Sequence, residues 1–234
     1  MYDANNPVIV IANGEFPTHE IPINYLKNCN HIICADGAAD KIKEFGLEPN
    51  VVIGDFDSTK ISSKGRLGSW IETPDQNKTD LEKTFEWCIS KNIKNITLLG
   101  AGGLREDHFL GNLYIVSKFY DNVNVKVITN HSKIICVRGS KTIKTKKDQD
   151  ISFIASEVIN NIKITGLKYS LINERLIPSS MAISNKSLGN EFHIESTGKV
   201  FVSVSYTHLR AHETREDRVW RRRREKKKGG GGGG

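Results

Sequence analysis

The sequence predicts an α/β protein: an open, mostly parallel α/β sheet in the N-terminal part, followed by a small all-β sandwich. Three observations lead there. Over residues 1–130, short β-branched runs alternate with amphipathic stretches. Several of those runs are apolar throughout rather than alternating, as strands covered on both faces are. After about residue 130 the helical periodicity stops, while short strands and turn residues continue.

In chain order, strands are expected at 8–12, 32–35, 51–54, 96–99 and 125–129, with the clearest helices at 81–90 and 107–120. In the first helix Leu81, Phe85, Cys88 and Ile89 share one face. The second half offers strands at 133–137, 151–155, 162–165, 192–194 and 200–204, separated by Gly, Ser, Asn and Lys turns. These divisions give a domain at 1–130, a β-sandwich at 131–204 and a tail at 205–234.

The chain has 234 residues, 38% hydrophobic and 26% charged, which suits one large or two modest folded units. No run approaches the roughly 18 apolar residues of a membrane span, and residues 1–6 carry no basic region of the kind that opens a signal peptide. Cys29, Cys34, Cys88 and Cys136 form no C-x-x-C pair and sit in apolar segments, so reduced thiols in a cytoplasmic protein are expected. The formal charge is +7, but the tail alone holds ten of the 34 basic and four of the 27 acidic residues. Residues 1–204 keep 24 basic against 23 acidic side chains. A nucleic-acid module would therefore rest on the tail alone, with steeply salt-dependent binding. That tail ends in Arg, Lys and Gly homopolymer, lacks hydrophobic periodicity, and reads as translated vector, adapter or frame-shifted sequence. Neither nucleic acid nor membrane is expected as a partner.

The carboxylates are informative because of where they fall. The run at 32–35 leads into Asp36-Gly37-Ala38-Ala39, and that at 51–54 into Asp55-Phe56-Asp57-Ser58. The run at 96–99 leads into Gly100-Ala101-Gly102-Gly103-Leu104-Arg105-Glu106-Asp107-His108. In a parallel sheet all strand C-termini share one edge, where ligands bind. Acids gathered there would repel unless a cation sat among them, and oxygen-only ligands favour Mg²⁺. Asp55 and Asp57 alternate along an assumed extended segment, so both are candidate metal ligands. Thr79 and Glu82 form a capping-box pattern before a helix whose N-terminus could equally receive a phosphate, with Asp80 serving the metal or the nucleophile. The glycines at 100–103 permit close backbone approach to phosphate, and Arg105 suits bidentate contact with its oxygens. Neither a Walker-A nor a G-x-G-x-x-G motif occurs.

Together these blocks, with Asp75-Gln76 through Thr79-Asp80-Leu81-Glu82-Lys83, resemble the thiamine pyrophosphokinase family over about residues 8–204. The resemblance implies transfer of pyrophosphate from ATP to the hydroxyl of thiamine, giving thiamine diphosphate and AMP with Mg²⁺. It implies a catalytic α/β domain, a thiamine-binding β-sandwich and a homodimer with sites at the subunit interface. Asp55, Asp57 and Asp80 would be catalytic and hold the metal. Asp36, Gln76, Thr79, Arg105 and Asp107 would line the substrate site, and Ser184-Asn185 looks like the family's thiamine-contacting pair. Leu104 departs from the glycine many members carry, and no Trp lies in the β half before the tail. Two alternatives stand beside it: a pyrophosphokinase for a pterin alcohol, and a haloacid-dehalogenase-like phosphatase. The second reads Asp55-Phe56-Asp57-Ser58-Thr59 as a D-x-D-x-T motif with Asp55 forming an aspartyl phosphate. That motif normally follows the first strand of its domain, whereas two expected strands precede it here.

Overall fold

A computed structural model describes residues 7–57, 59–61 and 67–206. The first half contains β1 (Val8–Ile11), α1 (Glu20–Lys27), β2 (Ile32–Ala35), α2 (Ala38–Glu44), β3 (Val51–Gly54), β4 (Ser69–Glu72), α3 (Asp80–Ser90), β5 (Asn95–Leu99), α4 (Glu106–Lys118) and β6 (Asn124–Ile128). The second contains β7 (Ser132–Lys144), β8 (Asp150–Ala155), β9 (Ile159–Thr165), β10 (Leu171–Leu176), β11 (Asn185–Lys186) and β12 (Glu191–Ser205).

The six strands of the first half lie in the order β6-β5-β1-β2-β3-β4, every neighbour parallel. β1, β2 and β3 are buried at every position, which explains their unbroken apolar sequence: helices cover both faces. One core packs Val10, Ile33 and Ile53 under Phe85 of α3 and Val116 of α4. Another, on the opposite face, packs Ile9, Ile11 and Val52 under Leu26 of α1 and Ile42 of α2. From β1 the chain winds outward to β4, then returns through α3 to pair β5 with the free side of β1. This reversal puts a topological switch point between β1 and β5, where a crevice opens at the strands' carboxyl ends.

The two halves are joined by hydrogen bonds into one continuous 12-stranded sheet, parallel in the first half and antiparallel beyond β6. β7 pairs with β6 near its start and with β12 along most of its length. β12 serves β8 with residues 200–204 and β9 with residues 193–196. The second half nevertheless has its own core, in which Phe153 meets Phe192 edge to face at 5.7 Å. The runs at 192–194 and 200–204, expected as separate strands, are one strand. The Ser196–Lys199 stretch that reads as a turn is a bulge, opposite Gly139 at φ +82°.

Helix α1 escapes sequence periodicity because Pro22 interrupts it, yet a proline in the first turn removes no intrahelical bond. β12 runs through Ser205, and Tyr206 stacks on His19 with ring centroids 5.1 Å apart. The folded body therefore extends two residues into the stretch expected as tail; residues 207–234 and Ser58 lie outside the described residues. Among the described residues no helix is long and apolar enough to cross a membrane.

Because β7 pairs with β6 and Phe201 of β12 packs in the first half's core, truncating Phe153 to Ala should remove about 3–5 kcal/mol of stability in a single shifted urea transition. Two separated transitions would show instead that the halves unfold independently.

Candidate active site

The crevice at the switch point is a cleft of about 530 Å³, lined by the ends of β1, β2, β3 and β5 and the first turns of α3 and α4. Its β1 and β5 walls interlock. Gly14 N–H donates to the Gly100 carbonyl at 2.8 Å, and Glu15 N–H to the Gly102 carbonyl at 2.7 Å. A side chain at Gly14 would stand 2.3 Å from the Gly100 oxygen, so only glycine permits this approach. Lys41 of α2 donates to the carbonyls of Asn13 and Gly14, at 3.1 and 2.6 Å, and Asn112 of α4 to that of Ala101 at 2.7 Å.

Three carboxylates meet on the floor. Asp36 follows β2, Asp55 follows β3 and Asp80 opens α3; each offers an oxygen within 4.8 Å of the others'. Asp36 is buried, with a left-handed φ of +35°, a conformation Asp tolerates better than most residues. Its neighbour across the ladder is Gly54, where a Cβ would fall 2.6 Å from the Asp36 Cβ. The glycine is what lets the two acidic strand ends converge.

Their ionisation equilibria are pushed apart. Gln76 Nε2 donates to Asp55 Oδ2 at 3.1 Å and Asp57 N–H to Asp55 Oδ1 at 3.3 Å, holding Asp55 below the usual carboxylate range. Burial pushes Asp80 upward, with Asp55 and Asp36 adding repulsion and Lys83 opposing it. Lys83, buried on α3, places its ammonium 3.2 Å from Asp80 Oδ1. Its place among carboxylates was not foreseen from the sequence. The signal was available: Asp80 and Lys83 are three residues apart on one helix and so share a face.

Asp57 does not join the cluster. Phe56 adopts φ +66°, which ends the extended path from β3, and Asp57 turns outward to an exposed position while its N–H folds back on Asp55. The assumed alternation of Asp55 and Asp57 fails at that one residue, and the third ligand position falls to Asp36 instead. Oxygen-only donors from three separate elements fit a hard divalent cation such as Mg²⁺.

Thr79 caps α3, its hydroxyl accepting from Glu82 N–H at 3.3 Å; the Glu82 carboxylate pairs with Lys118 rather than completing a capping box. The N-cap of α4, Arg105, makes no side-chain cap, so between the two helices the more open N-terminus is that of α4. Arg105 forks onto Asp107 with bonds of 3.1 and 2.5 Å, both side chains exposed at the cleft mouth. Leu104 and His108 also line the cleft.

Ser184 and Asn185 lie in the β half and do not line this cleft. Ser184 is exposed at φ +62°, its N–H donating to Ser152 Oγ at 3.0 Å. Asn185 is buried and committed to Tyr169: its Oδ1 accepts from Tyr169 N–H at 3.1 Å, and its Nδ2 donates to the Tyr169 carbonyl at 2.7 Å.

Fold and cleft define an α/β protein with three converging carboxylates and the N-terminus of α4, uncapped by any side chain, at a sheet's switch point. Residues 23–129 match the family model for the thiamin pyrophosphokinase catalytic domain. Thiamine pyrophosphokinase of Bacillus subtilis is 29% identical over 189 residues, covering 76% of this chain and 87% of that protein. Thiamin pyrophosphokinase 1 of Caenorhabditis elegans is 26% identical over 222 residues, covering 86% and 90% respectively. The crystal structure of the B. subtilis enzyme superposes with a TM-score of 0.71 at 26% identity over 86% of this chain and all of that one. The yeast enzyme, at 16% identity, shares the fold with a TM-score of 0.71 over 91% of this chain and 90% of that one. The chain is thus similar to the thiamine pyrophosphokinases over residues 23–129 by the family model and over most of its length by these relatives. The pterin-alcohol and phosphatase alternatives are not favoured, and for the second Asp55 sits at the third strand rather than the first.

Gly54→Ala should displace Asp36, weakening Mn²⁺ binding measured by titration and lowering turnover roughly 10- to 100-fold, with the circular dichroism spectrum unchanged. Unaltered Mn²⁺ affinity would remove Asp36 from the metal set.

Proposed function

We propose that this cleft is where the chain transfers a pyrophosphoryl group from ATP to the hydroxyl of thiamine, forming thiamine diphosphate and releasing AMP. The single observation that carries the reading is the convergence of Asp36, Asp55 and Asp80 beside the open N-terminus of α4. Asp36, Asp55 and Asp80 would hold Mg²⁺, which when bound neutralises phosphate charge and orients the oxygens of the transferred group.

The chain's own residues supply the rest. The hydrogen bonds from Gln76 and the Asp57 N–H favour the ionised form of Asp55. Asp80, which lines the cleft at the start of α3 beside Lys83, is assigned the orientation of the attacking hydroxyl. The hydroxyl oxygen bonds to the β-phosphorus as the bond to the bridging oxygen breaks; the electron pair leaves with AMP and the hydroxyl proton passes to a carboxylate. Arg105, exposed and held by Asp107, can exchange that partner for a phosphate. The backbone at 100–103 and Thr79 steady the chain of phosphates, and Gln76 keeps Asp55 aimed. Lys83 offsets repulsion within the cluster, and its ammonium would be free to meet the phosphates where a divalent ion neutralised Asp80.

We further place Ser184 in the site of a second copy. It is exposed on a β half that also exposes Tyr169, Ile172, Met181, Ile183 and Leu188, an apolar surface suited to a homodimer partner. There Asn185 acts by fixing Tyr169, an aromatic ring standing where the β half lacks tryptophan. The four free thiols suit the cytoplasm.

Purified protein given Mg-ATP and thiamine should yield AMP and thiamine diphosphate in equal amounts; orthophosphate or ADP as product would overturn the reading. Asp55→Asn should lose activity by roughly 100-fold or more while remaining folded. Mixing Asp55→Asn with an inactive Ser184→Tyr variant should restore about a quarter of wild-type activity through hybrid dimers. No recovery after subunit exchange would place Ser184 outside the shared site.

A further inference from the structure

The segment that follows β3 is gripped from outside the cleft. The last ladder pairs at this edge are Ala35 with Ile53 and Gly54 with Glu72, so Asp55 is the first residue past the ladder. Asp36 keeps a tie to it, its N–H donating to the Ile53 carbonyl at 2.9 Å. Four residues beyond each of these acids the two stretches of chain meet again, where Asp40 of α2 faces Thr59. Asp40 Oδ1 accepts from the Thr59 hydroxyl and Oδ2 from Lys60 N–H, both at 2.8 Å. Thr59 Oγ1 in turn accepts from Ile61 N–H at 3.2 Å. Ile61 packs with Phe56 and Trp70 against the core that holds Ile42 of α2, and the Phe56 and Trp70 rings meet edge to face at 5.1 Å. Among the described residues that line the cleft Asp40 is absent, and it stands outside the group of three converging carboxylates.

We propose that Asp40 is a positioning residue for the acidic centre: by gripping the chain at Thr59 and Lys60 it keeps Asp55 beside Asp36 and Asp80. The inference rests on the metal-dependent transfer proposed above and deepens it. Past the ladder, strand register no longer sets how far Asp55 stands from Asp36; the hold on the far end of the segment does. A carboxylate suits that task, because it only accepts, through two oxygens, and the segment presents two donors side by side. The grip also constrains the left-handed turn at Phe56, since the chain must enter that turn from Gly54 and leave it in time to reach Asp40. Gln76 aims the Asp55 carboxylate, and Asp40 holds the backbone that carries it. The role is geometric rather than electrostatic: what Asp40 conveys to a bound cation is the place of Asp55, not its own charge. Removing a group that orients a metal ligand typically weakens metal binding by about 10- to 100-fold.

Asp40→Ala should raise the Kd for Mn²⁺, measured by calorimetric titration without nucleotide, roughly tenfold, with the circular dichroism spectrum unchanged. The Mg²⁺ concentration that gives half-maximal activity should rise by the same factor, with most of kcat regained at saturating Mg²⁺. Asp40→Asn separates geometry from charge. Its amide oxygen can accept from Lys60 N–H and its NH₂ can donate to Thr59 Oγ1, so Mn²⁺ affinity should stay within about twofold of the wild type. If Asp40→Asn binds Mn²⁺ as weakly as Asp40→Ala, the charge is what matters and the positioning role falls. Thr59→Val removes one bond from the other end and should weaken Mn²⁺ binding roughly threefold. Combined with Asp40→Ala it should add nothing, because the two residues act through one contact; additive losses would overturn the proposal. So would a folded Asp40→Ala protein with wild-type Mn²⁺ affinity. If Asp40→Ala does not fold, Thr59→Val decides, and an unchanged Mn²⁺ affinity there overturns the proposal. A wild-type protein that binds Mn²⁺ yet forms no thiamine diphosphate would refute the transfer reaction alone, since the role of Asp40 is read from the titration.

Discussion

Holding three carboxylates within 4.8 Å of one another is electrostatically unfavourable, and the surrounding structure is organised to withstand it. Asp36 and Asp55 cannot separate because β2 and β3 are locked in a parallel ladder buried on both faces. Asp80 cannot withdraw because α3 is anchored by Leu81, Phe85 and Cys88 in the core. Lys83 moderates the repulsion from inside the same helix. Such a centre favours a divalent cation because the framework has already met the energy of assembling its ligands.

The crevice itself is a product of chain order. Had the strand after α3 continued outward beyond β4, the loops following β1 and β5 would not face each other, and no cleft would lie between them. Their reciprocal approach needs glycine at positions 14 and 100, where any side chain would strike a carbonyl within 2.4 Å.

The parallel strands were legible in the sequence because burial on both faces leaves an apolar run that competing conformations do not produce. The convergence of Asp36, Asp55 and Asp80 was legible because strand C-termini and the helices that follow them share an edge. That Asp57 stands apart from the other carboxylates was not legible, because sequence spacing says nothing about the left-handed turn at Phe56. Lys83 stands in the block that begins at Thr79, but its place beside the carboxylates follows from burial, which depends on the tertiary environment. Short α2 lacks the length for periodicity to emerge, α1 carries Pro22, and β4 has just four half-exposed residues at the sheet edge. In the second half, glycine and serine suggested turns where the strands instead bend through a bulge, a distinction that depends on the partner strand.

The long strands β7 and β12 have a mechanical consequence. β7 is paired to β6 through Lys126–Ile135, Val127–Ile134 and Ile128–Lys133, and to β12 from Ser132 with Ser205 to Lys144 with Glu191, so the helical half runs into the antiparallel half through a hydrogen-bonded ladder. A hinged jaw motion would have to break or shear that ladder. Enclosure of reactants must therefore come from surface segments settling onto a stiff frame, with the bend at Gly139 as the place where the frame can yield.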